Sequence, residues 1–233
     1  LEPGTTSGKR GVIRLEPGDI DLGKLCKVDA IAEQVLGGEI GIDAGRSALR
    51  ALDAPPGRWA RWLTALSFGL ASASVAGILR TSWADIATAA SIGMLIGMLH
   101  MMALKRPQLS EAQDAIAALA ATFLAAVVAT YLVPLSLRSV VVASVIVLLP
   151  GMMLTNAISE LTSQHLVSGT ARFAGAMATL LKLTFGTIAA MQVVVLLGWT
   201  PQEAVLATPP AWVEWVALTL GAFAFAVLFR AER

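Results

Sequence analysis

Three stretches of this chain, Trp62–Leu79, Ala115–Val133 and Ser139–Ile158, contain no Asp, Glu, Lys, Arg or His. A helix in a water-soluble bundle needs a polar stripe facing solvent. Windows without one belong inside a bilayer, which takes roughly 20 apolar residues to cross. Three more windows, Ile86–Leu104, Phe173–Leu197 and Ala211–Phe229, are nearly as apolar and carry His100, Lys182 and Glu214 as their lone ionisable groups. Composition agrees, since 56% of residues are hydrophobic and 14% charged, against about 25% charged in soluble domains. The expected fold class is all-α: a polytopic membrane helix bundle with a short cytoplasmic N-terminal helical segment. A net charge of +1 argues against a nucleic-acid partner. The lone Cys26 excludes an internal disulfide or a multi-cysteine metal site. No phosphate-binding glycine loop, paired-histidine metal motif or nucleophile elbow is present, so neither an enzyme nor a cofactor is expected. The partners expected are the bilayer and a small-molecule solute.

Lys and Arg set the expected orientation, because they concentrate on the cytoplasmic side of membrane proteins. Arg58, Arg61, Lys105, Arg106, Arg172, Arg230 and Arg233 flank one set of window ends, and Arg80 and Arg138 the other. The N-terminus is therefore expected in the cytoplasm, with the chain in a cell (inner) membrane. Three segments follow: a cytoplasmic part over 1–57, a five-span bundle over 58–200 and a sixth hydrophobic segment over 201–233. The chain starts at Leu1, not Met, and its first residues lack a signal peptide's apolar core, so it reads as part of a longer protein.

Residues 1–19, rich in Gly, Pro, Thr and charge, read as an extended lead-in. From Asp19 to Leu36, apolar residues recur at helical spacing until Gly37–Gly38 interrupts them. Asp43 is expected to cap a second short helix running through Leu52, stopped by Pro55–Pro56. In the windows, Ala65, Gly69, Ala73 and Gly77 fall four apart, and Gly93 and Gly97 form a GxxxG. Small residues at this spacing let helix backbones approach closely.

The fourth window is the one that changes character. From Ser139 to Pro150 is about 18 Å of helix, roughly half the hydrocarbon thickness. Pro150 offers no N–H to the carbonyl of Ile146, and Gly151 follows, so a kink or break is expected near the bilayer middle. Thr155, Asn156, Ser159 and Glu160 are expected on one side beyond it, with Leu154, Ile158 and Leu161 on the other. Two readings stand. One is a proline-kinked helix with a polar cytoplasmic end. The other is a broken helix lining a solute pathway, with Thr155 and Asn156 as hydrogen-bonding groups and Glu160 and Arg172 as charges at its mouth. Lys182, about 15 Å of helix beyond Arg172, either sits near the midplane or snorkels from a span that starts later. His100 reads as interfacial, with a proton relay as its alternative, and Glu214 as reaching the outer interface.

The stretch "PGMMLTNAISEL…LVSGTARF" resembles the motif of the threonine/serine exporter family. Pro150, Gly151, Leu154, Thr155, Asn156, Ser168, Gly169 and Arg172 match it position by position. The preceding "AIAEQVLGGEIGIDAGRSALRALDAPPGRWARW" is similar to that family's lead-in, and "WVEWVALTLGAFAFAVLFRAER" to the first helix of its C-terminal half. Departures are present too: Ser159–Glu160 replaces an Arg-Asp pair, Gln164–His165 a Gly-Asp pair, and Gly175 an acidic residue. The resemblance implies proton-driven export of small hydrophilic metabolites such as threonine and serine. Pro150, Gly151, Thr155, Asn156, Ser159 and Arg172 would then be substrate-binding, and Glu160, His165 and Lys182 proton-coupling. A C-terminal-half partner chain or a homo-oligomer is the implied assembly. The alternatives are a non-transporting or regulatory subunit, one component of a two-component dicarboxylate exporter, and a channel-like pore.

Overall fold

The computed structural model of the chain describes residues 22–52, 58–103, 107–204 and 209–229, with backbone alone at 58, 60, 61 and 107–110. The lead-in over 1–19, Pro55–Pro56, Lys105, Arg106, Arg230 and Arg233 lie outside these residues, as do the side chains of Arg58 and Arg61. Among the described residues every regular element is helical: α1 (Leu22–Leu36), α2 (Ile42–Ala51), α3 (Arg58–Ile78), α4 (Trp83–Ala103), α5 (Pro107–Tyr131), α6 (Leu137–Val145), α7 (Gly151–Thr162), α8 (Leu166–Leu196) and α9 (Trp212–Leu228). A 3₁₀ turn over Ile146–Leu148 extends α6. The all-α membrane bundle read from the sequence is what the chain forms.

Helix ends are set locally. Gly38 ends α1 at φ 75°, where the amides of Gly38 and Glu39 reach back to the carbonyls of Val35 and Gln34 in a glycine-type C-cap. Gly198 closes α8 in the same way, at φ 68°. Asp43 does not cap α2. Gly41 occupies that position, and Asp43 sits in the first turn, where its charge favours the positive helix end without a capping bond.

Small residues bring α3 and α4 together antiparallel. A Cβ on Gly93 would strike Ser72 and the Phe68 carbonyl, and one on Gly97 would meet Ala65 and Phe68. The α3 stripe serves two partners: Gly69 lies against Ala90 and Met94 of α4, whereas Gly77 meets Ala217 of α9. Around this pair, α5 and α6 complete a core dominated by alanine, with Phe68, Ile92, Ile96, Leu135 and Val140 as its larger members. In a bilayer, such close backbone contact supplies the packing attraction that hydrophobicity does not.

Among the described residues, α4, α8 and residues Glu111–Tyr131 of α5 are long and apolar enough to cross a membrane unaided, and α6 with α7 makes a fourth crossing if the broken pair counts as one. The helices of the first and sixth windows, α3 with 21 residues and α9 with 17, are about 31 and 25 Å long, against a hydrocarbon core of about 30 Å. They lie antiparallel, with Ser74 opposite Gly221 and Gly77 opposite Ala217.

A buried carboxylate that the sequence reading overlooked organises one end of the bundle. Ser82 and Asp85 form a reciprocal capping box at the start of α4. The Asp85 amide donates to Ser82 Oγ (3.2 Å), and the Ser82 amide donates to Asp85 Oδ2 (3.0 Å). The other oxygen, Oδ1, accepts the Ser136 amide at 2.9 Å, just before α6. Asp85 is fully buried, so it holds the starts of α4 and α6 at one level. Leaving either amide unpaired there costs about 1–3 kcal/mol.

Candidate functional site

The expected break is present. The chain leaves the 3₁₀ turn at Leu149, and α7 departs from the α6 direction by 60°. The Gly151 amide folds back onto the Leu149 carbonyl at 2.8 Å, and no side chain caps α7. A Cβ on Gly151 would meet nothing within 4 Å, so no other described part of the chain packs against the break. Proline explains the interruption, since it cannot donate to the helical ladder. The size of the bend comes from tertiary packing: α6 lies among α3, α4 and α5, whereas α7 packs on α8.

The two run as an antiparallel hairpin through a tight turn. At that turn Gln164 adopts φ 66°. The Gln164 and His165 amides reach back to the carbonyls of Leu161 (3.2 Å) and Glu160 (2.9 Å), a C-cap geometry that ordinarily takes glycine. His165 is exposed and occupies the N-cap position of α8 without a side-chain capping bond. Beyond the turn, Gly169 lies so close to Leu161 that a Cβ would stand 3.0 Å from its backbone nitrogen. Met153 of α7 faces Gly175 of α8, and Ala157 is fully buried between them.

This crossing brings together several residues selected from the sequence. Arg172 Nε lies 2.8 Å from Glu160 Oε1, and Ser168 Oγ donates to Glu160 Oε2. Arg172 and Glu160 side chains keep 42% and 25% of their exposure, so the pair remains open to solvent and contributes little to stability. Thr155 is exposed, and its hydroxyl donates to the Gly151 carbonyl at 3.0 Å. Asn156 is half-buried, and among the described residues no side-chain hydrogen bond engages its amide. Pro150 is half-buried at the N-cap of α7, and Ser159 is exposed. Over the turns of α7, Thr155, Asn156, Ser159 and Glu160 fall on one side and Leu154, Ile158 and Leu161 on the other, as expected. α8 covers the line between them at Ala157 and leaves Ile158 55% exposed.

Lys182 stands apart from this group. On α8, Gly186 meets Ala115 and Ala118 of α5, and beyond the end of α8 Trp199 packs against Phe123 and meets Tyr131 in a T-shaped contact, so the two helices run parallel. Lys182, one turn before Gly186, therefore lies toward the charged Glu111–Asp114 end of α5, which favours the snorkelling reading. Since α8 is about 46 Å long, its early turns extend well past a hydrocarbon core of about 30 Å. His100 sits at the corresponding end of α4, its Nδ1 2.6 Å from Gln113 Nε2 and its ring 5.5 Å from Phe68. Among the described residues no cluster of His, Cys, Asp and Glu could hold a metal ion.

A family model with the description "Putative threonine/serine exporter" matches residues 4–194. The chain belongs to the threonine/serine exporter family. Pheromone-regulated membrane protein 10 of Debaryomyces hansenii is similar too, at 25% identity over 197 residues, covering 81% of this chain and 19% of that protein. The chain thus spans about a fifth of the length of that relative. No solved structure matches. Membership of the threonine/serine exporter family makes this a membrane protein of a transporter family, and its matched segment includes the broken helix and the α7–α8 hairpin.

Proposed function

We propose that this chain carries out secondary export of small hydrophilic metabolites, threonine and serine above all, by proton antiport. The observation that carries the reading is the bent interruption at Pro150–Gly151, followed on α7 by the half-buried Asn156 amide that no side-chain hydrogen bond engages among the described residues, in a chain of the exporter family. Non-helical backbone at membrane depth is tolerated where protein or water surrounds it, and broken helices of this kind line the binding sites of many carriers.

An amino acid entering from the cytoplasm presents a carboxylate, an ammonium and, in threonine and serine, a hydroxyl. Arg172 and Glu160 offer the complementary charges, and they are already paired across the α7–α8 crossing. Parting that pair lets Arg172 receive the carboxylate in bidentate fashion and Glu160 the ammonium. Asn156 and Thr155 are the hydrogen-bonding groups for the hydroxyl, with Ser159 alongside. Protonation of Glu160 removes its hold on Arg172 and on the solute's ammonium together, which couples proton entry to release. His165 at the turn and Lys182 further along α8 are the other proposed proton-coupling groups. The partner proposed with this reading is a C-terminal-half chain or a second copy, seated against apolar faces that α8 and α9 leave exposed at Phe185 and Phe223.

The test uses membrane vesicles loaded with labelled threonine and an imposed proton gradient. Asn156→Leu is expected to slow efflux by more than tenfold at unchanged protein level. Glu160→Gln is expected to leave exchange that no longer responds to the gradient. Equal efflux from wild type and Asn156→Leu removes the site, and gradient-independent efflux in wild type removes the antiport.

A further inference from the structure

The α1–α2 hairpin has chemistry that the transport reading does not use. Gly45 of α2 lies so close to Val35 of α1 that a Cβ would collide with it, so one edge of α2 is committed to α1. The neighbouring edge is not. Ile42 and Leu49, seven residues apart and so on one helix face, are 79% and 41% exposed. Arg46, one turn on from Ile42, and Arg50, next after Leu49, lie to the same side of that face, and both are exposed. This gives an open apolar edge bordered by a guanidinium ridge. At the end of α1, Leu36 is exposed as well.

The hairpin starts and ends near one end of the bundle. The Leu22 amide, at the start of α1, donates to the Phe229 carbonyl just beyond α9 at 3.1 Å. Leu52, at the end of α2, is six residues from the start of α3 at Arg58, a reach of at most about 21 Å. The end of α9 and the start of α3 lie side by side, because those helices are antiparallel. Exposed Trp59 and Trp62 mark that level as a membrane–water boundary, where tryptophan concentrates. A hairpin bonded to this boundary at its start, and returning to it within about 21 Å at its end, has a lipid surface within reach of its open edge.

We infer that α2 is a lipid-surface helix. Ile42 and Leu49 enter the headgroup–acyl boundary, and Arg46 and Arg50 bind the phosphates of anionic lipids. Apolar area and cationic charge in this arrangement are what an interfacial helix needs, and each Arg near an anionic surface adds attraction that salt weakens. The covering layer is lipid, not protein, because apolar side chains beside guanidinium groups, on a hairpin bonded at its start to the tryptophan level, match a headgroup boundary.

The experiment uses the full chain, reconstituted at one copy per lipid nanodisc, in phosphatidylcholine alone or mixed with phosphatidylglycerol. Cys26→Ser removes the single native thiol, and spin labels are placed singly through Ile42→Cys, Leu49→Cys and Ser47→Cys. Collision rates are read with oxygen, which favours lipid, and with a water-soluble nickel complex. The expected result is nickel accessibility several-fold lower at 42 and 49 than at 47 in anionic discs. Adding Arg46→Glu with Arg50→Glu is expected to restore it, without altering labels in the bundle. Equal nickel access at all three positions in both lipids overturns the inference. So does protection that is the same in both lipids and unchanged by Arg46→Glu with Arg50→Glu, which assigns the edge to the chain's own bundle. Protection that appears only with two chains per disc assigns it to a second copy and overturns it equally.

Discussion

At the scale of single residues, Gln164 carries an unusual burden. It holds the left-handed conformation that turns α7 into α8, a conformation costing a side-chain-bearing residue roughly 1–2 kcal/mol. The family motif places glycine there, so the departure seen in the sequence acquires a physical meaning only once the backbone angle is known. Gln164→Gly is expected to raise stability by about 1 kcal/mol, less what glycine's extra freedom in the unfolded chain takes back. Thermal unfolding in detergent followed by tryptophan fluorescence checks it, and a lowered midpoint contradicts the strain argument. Asp85 gives the opposite lesson. Its bond to the Ser136 amide joins positions 51 apart in the chain, and nothing in the local pattern "TSWADI" announces a partner that far away.

Helices show how far a sequence of this kind can be read. The interruption at Pro150–Gly151 was legible because proline's missing donor acts locally. So were the end of α1 at Gly38 and the approach of α3 to α4 through Gly93 and Gly97. The direction taken by α7 was not legible. It depends on Gly169 admitting Leu161 and on Met153 meeting Gly175, contacts made by a different helix. Nor did polarity identify the covered side, since inside a membrane an exposed Ile158 costs nothing and periodicity no longer separates core from lipid. The crossing itself is testable. A side chain at Gly169 must displace Leu161, including its backbone, so Gly169→Val is expected to loosen the hairpin. A cysteine placed at Ala157, fully buried in the wild-type chain, should then react with maleimide many times faster than in the Gly169 background. Unchanged protection means the hairpin is held elsewhere.

For the whole molecule, aromatic residues add a marker to the positive-inside argument. Trp83, Tyr131, Trp212 and Trp215 are exposed, and all stand at the ends where α4 and α9 begin and α5 finishes, opposite Trp59 and Trp62. These two levels bracket the bundle as interfacial belts do. Membrane-impermeant maleimide is expected to label Cys26 from the cytoplasmic side, and Arg80→Cys in a Cys26→Ser chain from the other. Labelling of both from one side breaks the topology. Because α6 is fastened to the bundle through Asp85 while α7 rides on α8, the chain changes company at Leu149–Pro150. A tilt of α8's early turns therefore carries α7 with it as cargo. The alanine core can stay still, with two residues serving as the pivot of a lever made of α7 and the start of α8.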